Sequence, residues 1–136
     1  MIMADCIFCK IADKEIPGKI IHEDDLCIAF LDLSQATVGH TLVIPKKHYD
    51  SMLTADPEIV AHVFKVAQVL ANRIKERFNT NGCNVLTNAG EAAGQTVHHF
   101  HVHVIPRYDE NDGLKISFVD HSKDVDLDNI YQSLMK

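Results

Sequence analysis

The chain has no run approaching the roughly eighteen apolar residues of a membrane span, which speaks against a transmembrane helix. Its opening residues, MIMADCIFCK, supply neither a basic leader nor a long apolar stretch for export, so the expected location is cytoplasmic and no membrane partner is expected. Positive charge is scarce, with 13 Lys and Arg against 19 Asp and Glu for a net charge of -6. That balance argues against a generic electrostatic grip on nucleic acid or anionic lipid and leaves a small molecule as the expected partner, held if need be by a local phosphate pocket. Internal repeats, low-complexity tracts and linker-like shifts of composition are missing, so a solenoid or a second domain is not expected. Cysteines number only four. They would make two disulfides in a secreted chain, but in a reducing compartment the Cys6 and Cys9 pair of CIFC reads better as metal-binding or redox-active.

What is present suits one globular domain: 136 residues, 46% hydrophobic and 24% charged. KIIHED and LCIAFLD flank Asp24 and Asp25 as two strands of a hairpin, and HTLVIPK is a third strand closed by Pro45. Asp56 as N-cap and Pro57 at the first helical position open a helix whose apolar positions, Ile59, Val63, Val66, Leu70 and Ile74, recur at helical spacing until NTNG. CNVLTNAG and HHFHVHVIPRY predict two more strands joined by the loop GEAAGQT, and DLDNIYQSLMK a short terminal helix. The expected class is α+β, a mostly antiparallel five-stranded sheet with one long helix and a short C-terminal helix.

One strand carries an unusual load. In TVHHFHVHVIPRY, alternation puts His99, His101 and His103 on one face and Phe100, Val102 and Val104 on the other. The apolar face belongs in the core and fixes the register. Nine histidines scattered at random would give HxHxH about 0.04 times in such a chain, so chance is a weak explanation. Three readings compete: a metal cage, for which the flanking IPRY supplies no further ligands; a structural row; or one histidine attacking phosphorus while its neighbours hold the phosphate, aided by backbone N–H groups of the loop from Gly90 to Gly94.

HFHVHVI resembles the His-φ-His-φ-His-φ-φ signature, φ being hydrophobic, of the histidine triad (HIT) superfamily of nucleotide hydrolases and transferases. CIFCKI, EIPGKIIHEDD, AFLDLSQATVGHTLVIPKKH and NAGEAAGQTVHHFHVHVIPRY are similar, in order, to the Hint-like branch and especially its bacterial members. The resemblance covers residues 5–108 of a single domain spanning 1–136, with 109–136 as a C-terminal extension.

The resemblance implies a mechanism and its residues. His101 would be the nucleophile, attacking the α-phosphorus of a purine nucleotide phosphoramidate or related derivative to give a covalent nucleotidyl-histidine that water resolves, releasing AMP or GMP. The backbone carbonyl of His99 would fix its tautomer, His103 would hold phosphate oxygens, and His40 would be a fourth histidine beside the triad. Gly94, Gln95 and Thr96 would contact the phosphate and leaving group, with Asn88 on the phosphate or ribose side. Ile7, Phe8, Ile16 and Leu33 would wall the base, and Asp32 would accept the ribose hydroxyl protons; on residues alone, these are equally ordinary core and turn positions. It also implies zinc held by Cys6, Cys9, His48 and His99. Four protein ligands make that site structural, and the mechanism needs no catalytic metal. A homodimer through the long helix and the CNVLTN strand follows as well.

Other residues take ordinary readings: Cys27 and Cys83 as buried thiols, His22, His62 and His121 on the surface, His98 at a strand edge or beside a dimer partner, and Lys46 and Lys47 solvated. Two departures bear on specificity. Thr96 stands where many relatives have Ser, and the chain has no Trp where eukaryotic relatives have a tryptophan-containing tail. The leaving group, dinucleoside polyphosphates included, is therefore open, and a nucleotide-binding scaffold with incidental turnover is the alternative of a different class.

Overall fold

The computed structural model describes residues 5–136. Five strands form one antiparallel sheet in the order β1-β2-β3-β5-β4: β1 Ile20–Glu23, β2 Cys27–Leu31, β3 Thr41–Pro45, β4 Gly82–Leu86 and β5 Val102–Arg107. Among the described residues three α-helices accompany it, α1 Ile7–Ala12, α2 Pro57–Phe78 and α3 Leu127–Leu134. The expected α+β class, the hairpin about Asp24 and the long amphipathic helix are all present.

The alternation of β2, β3 and β5 divides the core in two. Cys27, Ala29, Val43, Val102 and Val104, with Phe100 just ahead of β5, meet Val63, Val66, Ala67, Leu70 and Ile74 of α2 on one face. Ile28, Phe30, Leu42 and Ile44 meet Phe8 and Ile11 of α1 on the other. His101 and His103 have the parity of the second face, and α1 covers only part of it. What it leaves uncovered is a cavity.

Several local features depart from the sequence reading. α1 was not anticipated; its six residues are too few for a periodic signal, and its N-cap is Cys6, whose Sγ accepts the Cys9 N–H. Asp56 does precede Pro57 at the start of α2, but its carboxylate makes no cap and accepts the Tyr49 hydroxyl at 3.0 Å. α2 ends where Asn79 adopts the left-handed conformation, φ 53°. Formal pairing in β5 starts only at Val102, so His99 and His101 lie on the extended approach to the strand, where the Phe100 N–H bonds the Tyr49 carbonyl at 2.7 Å. Cys83 is exposed, contrary to expectation, because β4 is the edge of the sheet and its alternate positions face outward. His22 and His62 are half-buried on the Asp24 carboxylate. Gly39, at φ +100°, makes the turn into β3, and a Cβ there would stand 3.2 Å from Pro106 and 3.3 Å from Ile74.

Beyond β5 the chain runs close against the segment that precedes β3. At Gly113 an added Cβ would fall 1.7 Å from the Ala36 carbonyl oxygen, so only glycine permits the approach. Residues 115–136 are exposed throughout. α3 is nonetheless capped, the Asp126 carboxylate accepting the N–H groups of Asp128 and Asn129. Among the described residues no helix is long and apolar enough to cross a membrane.

Candidate functional site

Hydrogen bonds around the histidine row assign the proton on each ring. The His99 carbonyl lies 2.7 Å from His101 Nδ1 and can only accept, so Nδ1 carries the proton and Nε2 keeps its lone pair. The carbonyl of His101 in turn accepts the Thr87 hydroxyl at 2.6 Å, and the Phe8 ring stands edge-on at 5.0 Å; both restrain the imidazole. A second chain starts at Ala36, whose N–H donates to His40 Nδ1 at 3.2 Å. His40 Nε2 therefore carries the proton and donates it to His103 Nδ1 at 2.9 Å, with Asp32 Oδ2 3.5 Å away. His103 is left with its proton on Nε2. The two rings are thus set oppositely, His101 as an electron-pair donor and His103 as a hydrogen-bond donor.

Burial keeps these rings neutral. Loss of hydration pushes His101 below the ordinary histidine value and His103 down to about 4, the latter helped by the nearby rings of His101 and His40. Both are therefore uncharged near neutrality, with a free lone pair on His101 Nε2 and an N–H on His103 Nε2.

His101 and His103 open on a cavity of about 480 Å³. Ile7, Phe8, Ile16 and Leu33 line it together with Phe30 and Leu42, two walls that sequence reasoning missed because their alternation marked them only as core. Asp32, Asn88, Gly94 and Thr96 supply polar groups, and Lys19 a cation that the PGK turn gave no reason to single out. Apolar walls beside a cluster of imidazoles and the Asp32 carboxylate, with a glycine-containing loop at the rim, offer the apolar surface and the polar groups that a nucleoside phosphate takes.

Gln95 is the exception among the expected ligands. It is buried and absent from the lining; its amide donates to the carbonyls of Asp50 at 2.6 Å and Val97 at 3.1 Å, while its oxygen accepts the Gly90 N–H at 2.8 Å. Its own backbone N–H is bonded to the Gly90 carbonyl. With every donor committed, none is left for a phosphate oxygen, so Gln95 braces the loop that presents Gly94 and Thr96. His40 and His99 likewise act from behind the cavity wall.

A second cluster adjoins the site. Cys6 Sγ and Cys9 Sγ lie 3.3 and 3.5 Å from His99 Nδ1, and Cys9 Sγ lies 3.3 Å from His48 Nδ1. The four ligand atoms are all within 4.8 Å of one another. A tetrahedral zinc with thiolates at ~2.3 Å and imidazoles at ~2.0 Å has N···S edges of roughly 3.5 Å, which these separations match. The tautomer also fits, because His99 Nε2 donates to the Pro45 carbonyl at 2.9 Å and leaves Nδ1 facing the sulfurs. Burial pushes the His99 ring down to about 4, favouring the unprotonated form a metal requires. These four residues can hold a metal ion, and His99 joins that cluster to His101 through its own carbonyl.

Residues 13–110 match the HIT domain. The chain belongs to the HIT family. Among its HIT relatives, Protein hit of Bacillus subtilis is 43% identical over 135 residues, 97% of this chain and 93% of that protein. The adenylylsulfatase HINT3 of Arabidopsis thaliana is 40% identical over 103 residues, 76% of this chain and 52% of that protein. A crystal structure of a HIT family protein from Bacillus anthracis superposes with a TM-score of 0.91 at 48% identity, covering 97% of this chain and 94% of that one. A zinc-bound histidine triad family protein from Mycobacterium smegmatis has a TM-score of 0.78 at 37% identity over 88% of this chain and 86% of that one.

Proposed function

We propose that this HIT protein is a nucleotide hydrolase that attacks the α-phosphorus of a purine nucleoside phosphoramidate or related derivative and forms AMP. One observation carries the reading: the 2.7 Å bond from His101 Nδ1 to the His99 carbonyl, which leaves the Nε2 lone pair as the nucleophile of the cavity. The Nε2–P bond forms as the bond from phosphorus to the leaving group breaks, its electron pair departing with the leaving group, which takes up a proton from solvent to leave as the amine. Water then attacks phosphorus, loses a proton to solvent as its oxygen becomes part of the phosphate, and returns the P–N electron pair to Nε2. His103 donates to a phosphate oxygen through its Nε2–H, neutralising charge that builds on the oxygens in both steps. Asp32 takes the ribose hydroxyls, and the apolar walls take the purine. The HINT3 relative, named as an adenylylsulfatase, supports an adenylyl substrate.

Structural zinc at Cys6, Cys9, His48 and His99 belongs to the same reading, supported by the donor set and the zinc-bound relative. So does a cytoplasmic homodimer, whose face would be the open edge of β4 with exposed Val69, Phe78 and Val85, and which sedimentation of the purified protein would reveal. The whole chain is read as one HIT domain with 109–136 appended.

The test is steady-state hydrolysis of an adenosine phosphoramidate carrying a fluorogenic amine, by wild type and His101→Ala. Turnover should fall by at least about 10⁴-fold in the variant while AMP still binds. Retained turnover would remove His101 from the chemistry; no turnover in either protein, with AMP bound, would favour dinucleoside polyphosphates and then a nucleotide-binding scaffold.

A further inference from the structure

On the opposite face of the sheet from His101, the β1–β2 hairpin and α2 meet at a single carboxylate. Asp24 Oδ1 accepts the backbone N–H groups of Leu26 at 2.8 Å and Cys27 at 2.9 Å, which builds the turn. Oδ2 receives three more groups: His22 Nε2 at 2.8 Å, His62 Nε2 at 2.8 Å and Cys27 Sγ at 3.4 Å. Five donors therefore crowd a group with about four lone-pair sites, and three of them share one oxygen. A hydrogen-bonded turn needs only the first two. Two imidazoles, a thiol and a carboxylate drawn from β1, the turn, β2 and α2 are instead the donor types of a transition-metal site.

We propose that this cluster is a second metal site, in which His22, Asp24 and Cys27 bind a borderline divalent cation such as Zn²⁺ and His62 supplies the fourth ligand from α2. The ligand atoms of His22, Asp24 and Cys27 lie within 4.8 Å of one another. Zinc with ligands at ~2.0–2.3 Å has edges of roughly 3.3–3.6 Å. The Cys27 sulfur is already at that distance from Oδ2, His22 must part from Oδ2 by about 0.5 Å, and His62, bonded to Oδ2 at 2.8 Å but outside the 4.8 Å set, must swing in toward the other ligands. Both histidines are half-buried, so their rings can shift without opening the core.

Binding forms the S–Zn bond as the Cys27 proton leaves for solvent; no electron is transferred. Because the Cys6, Cys9, His48 and His99 cluster already has the spacing of a zinc tetrahedron and this one must adjust, it should fill second and lose its ion first to a weak chelator. Its occupation would pin the outer hairpin of the sheet to the long helix.

The experiment is metal analysis of the full-length protein saturated with Zn²⁺ at pH 8 and freed of excess by gel filtration, for wild type, His22→Gln, His62→Gln and Cys6→Ser. The wild type should hold two equivalents per chain, and each variant one. Zinc beyond the first equivalent should raise the melting temperature of the wild type and leave that of His22→Gln unchanged. A wild-type count of one overturns the assignment whether or not the variants fold. A count of two that persists in both His22→Gln and His62→Gln overturns it too, since the second ion then sits elsewhere.

Discussion

Replacing Gln95 with alanine separates a residue that braces the loop from one that touches the substrate. The amide makes three hydrogen bonds, to the Asp50 and Val97 carbonyls and the Gly90 N–H, at 2.6, 3.1 and 2.8 Å. At a net ~1 kcal/mol each the loss is about 3 kcal/mol, and rehydration of the Asp50 carbonyl reduces it to about 2 kcal/mol. For a domain of 136 residues, ~1 kcal/mol corresponds to about 4 °C, so Gln95→Ala should lower the melting temperature by about 8 °C. Calorimetry measures that shift. Hydrolysis of the adenosine phosphoramidate at 20 °C, where the variant stays folded, should show kcat/KM reduced less than about tenfold, since Gly94 and Thr96 still line the cavity. A melting temperature within about 2 °C of wild type, joined to a hundredfold loss of kcat/KM, would mean that the amide engages the substrate and the bracing argument is wrong.

Asp32→Asn should lower kcat/KM for a ribonucleotide substrate by about tenfold to hundredfold, the worth of a hydrogen bond to a charged group, and leave a 2′,3′-dideoxy analogue unaffected; equal losses on both substrates would take Asp32 off the ribose. Cys6→Ser should lose one metal equivalent and several degrees of melting temperature, and an unchanged metal content would break the four-ligand cluster. In the pH profile, burial lowers the folded-state pKa of His101 and takes that of His103 to about 4, below the value near 6.5 of the unfolded chain, so the unfolded chain binds more protons. Stability from these two rings is therefore complete above about pH 6.5 and is lost as pH falls toward 4. The acid limb of the kcat profile should therefore lie below pH 6.5; a half-fall near pH 6.5 would show that an ordinary, solvated histidine controls the rate.

Periodicity made most of the architecture legible in the sequence. Strict alternation over residues 99–104 assigns one face to the core whatever packs there, and five apolar residues at helical spacing define α2 before any partner is known. The histidine row was readable for the same reason, since residues two apart in extended chain share a face. Segments shorter than one period of pattern were not readable. α1 has six residues and a sulfur for its cap, so nothing in CIFCKI distinguished a helix from a loop.

The sequence by itself determined which residues are apolar, which face each takes within its own element, and that three imidazoles stand together. Tertiary structure decided what those residues bond to, because hydrogen-bond partners come from positions far apart in the chain. His40 sets the proton of His103 across 63 residues, Gln95 turns inward to a carbonyl 45 residues away, and His62 reaches an Asp24 that lies 38 residues before it. An imidazole is a nucleophile, a hydrogen-bond donor or a metal ligand according to where its proton sits, and its neighbours in space fix that position.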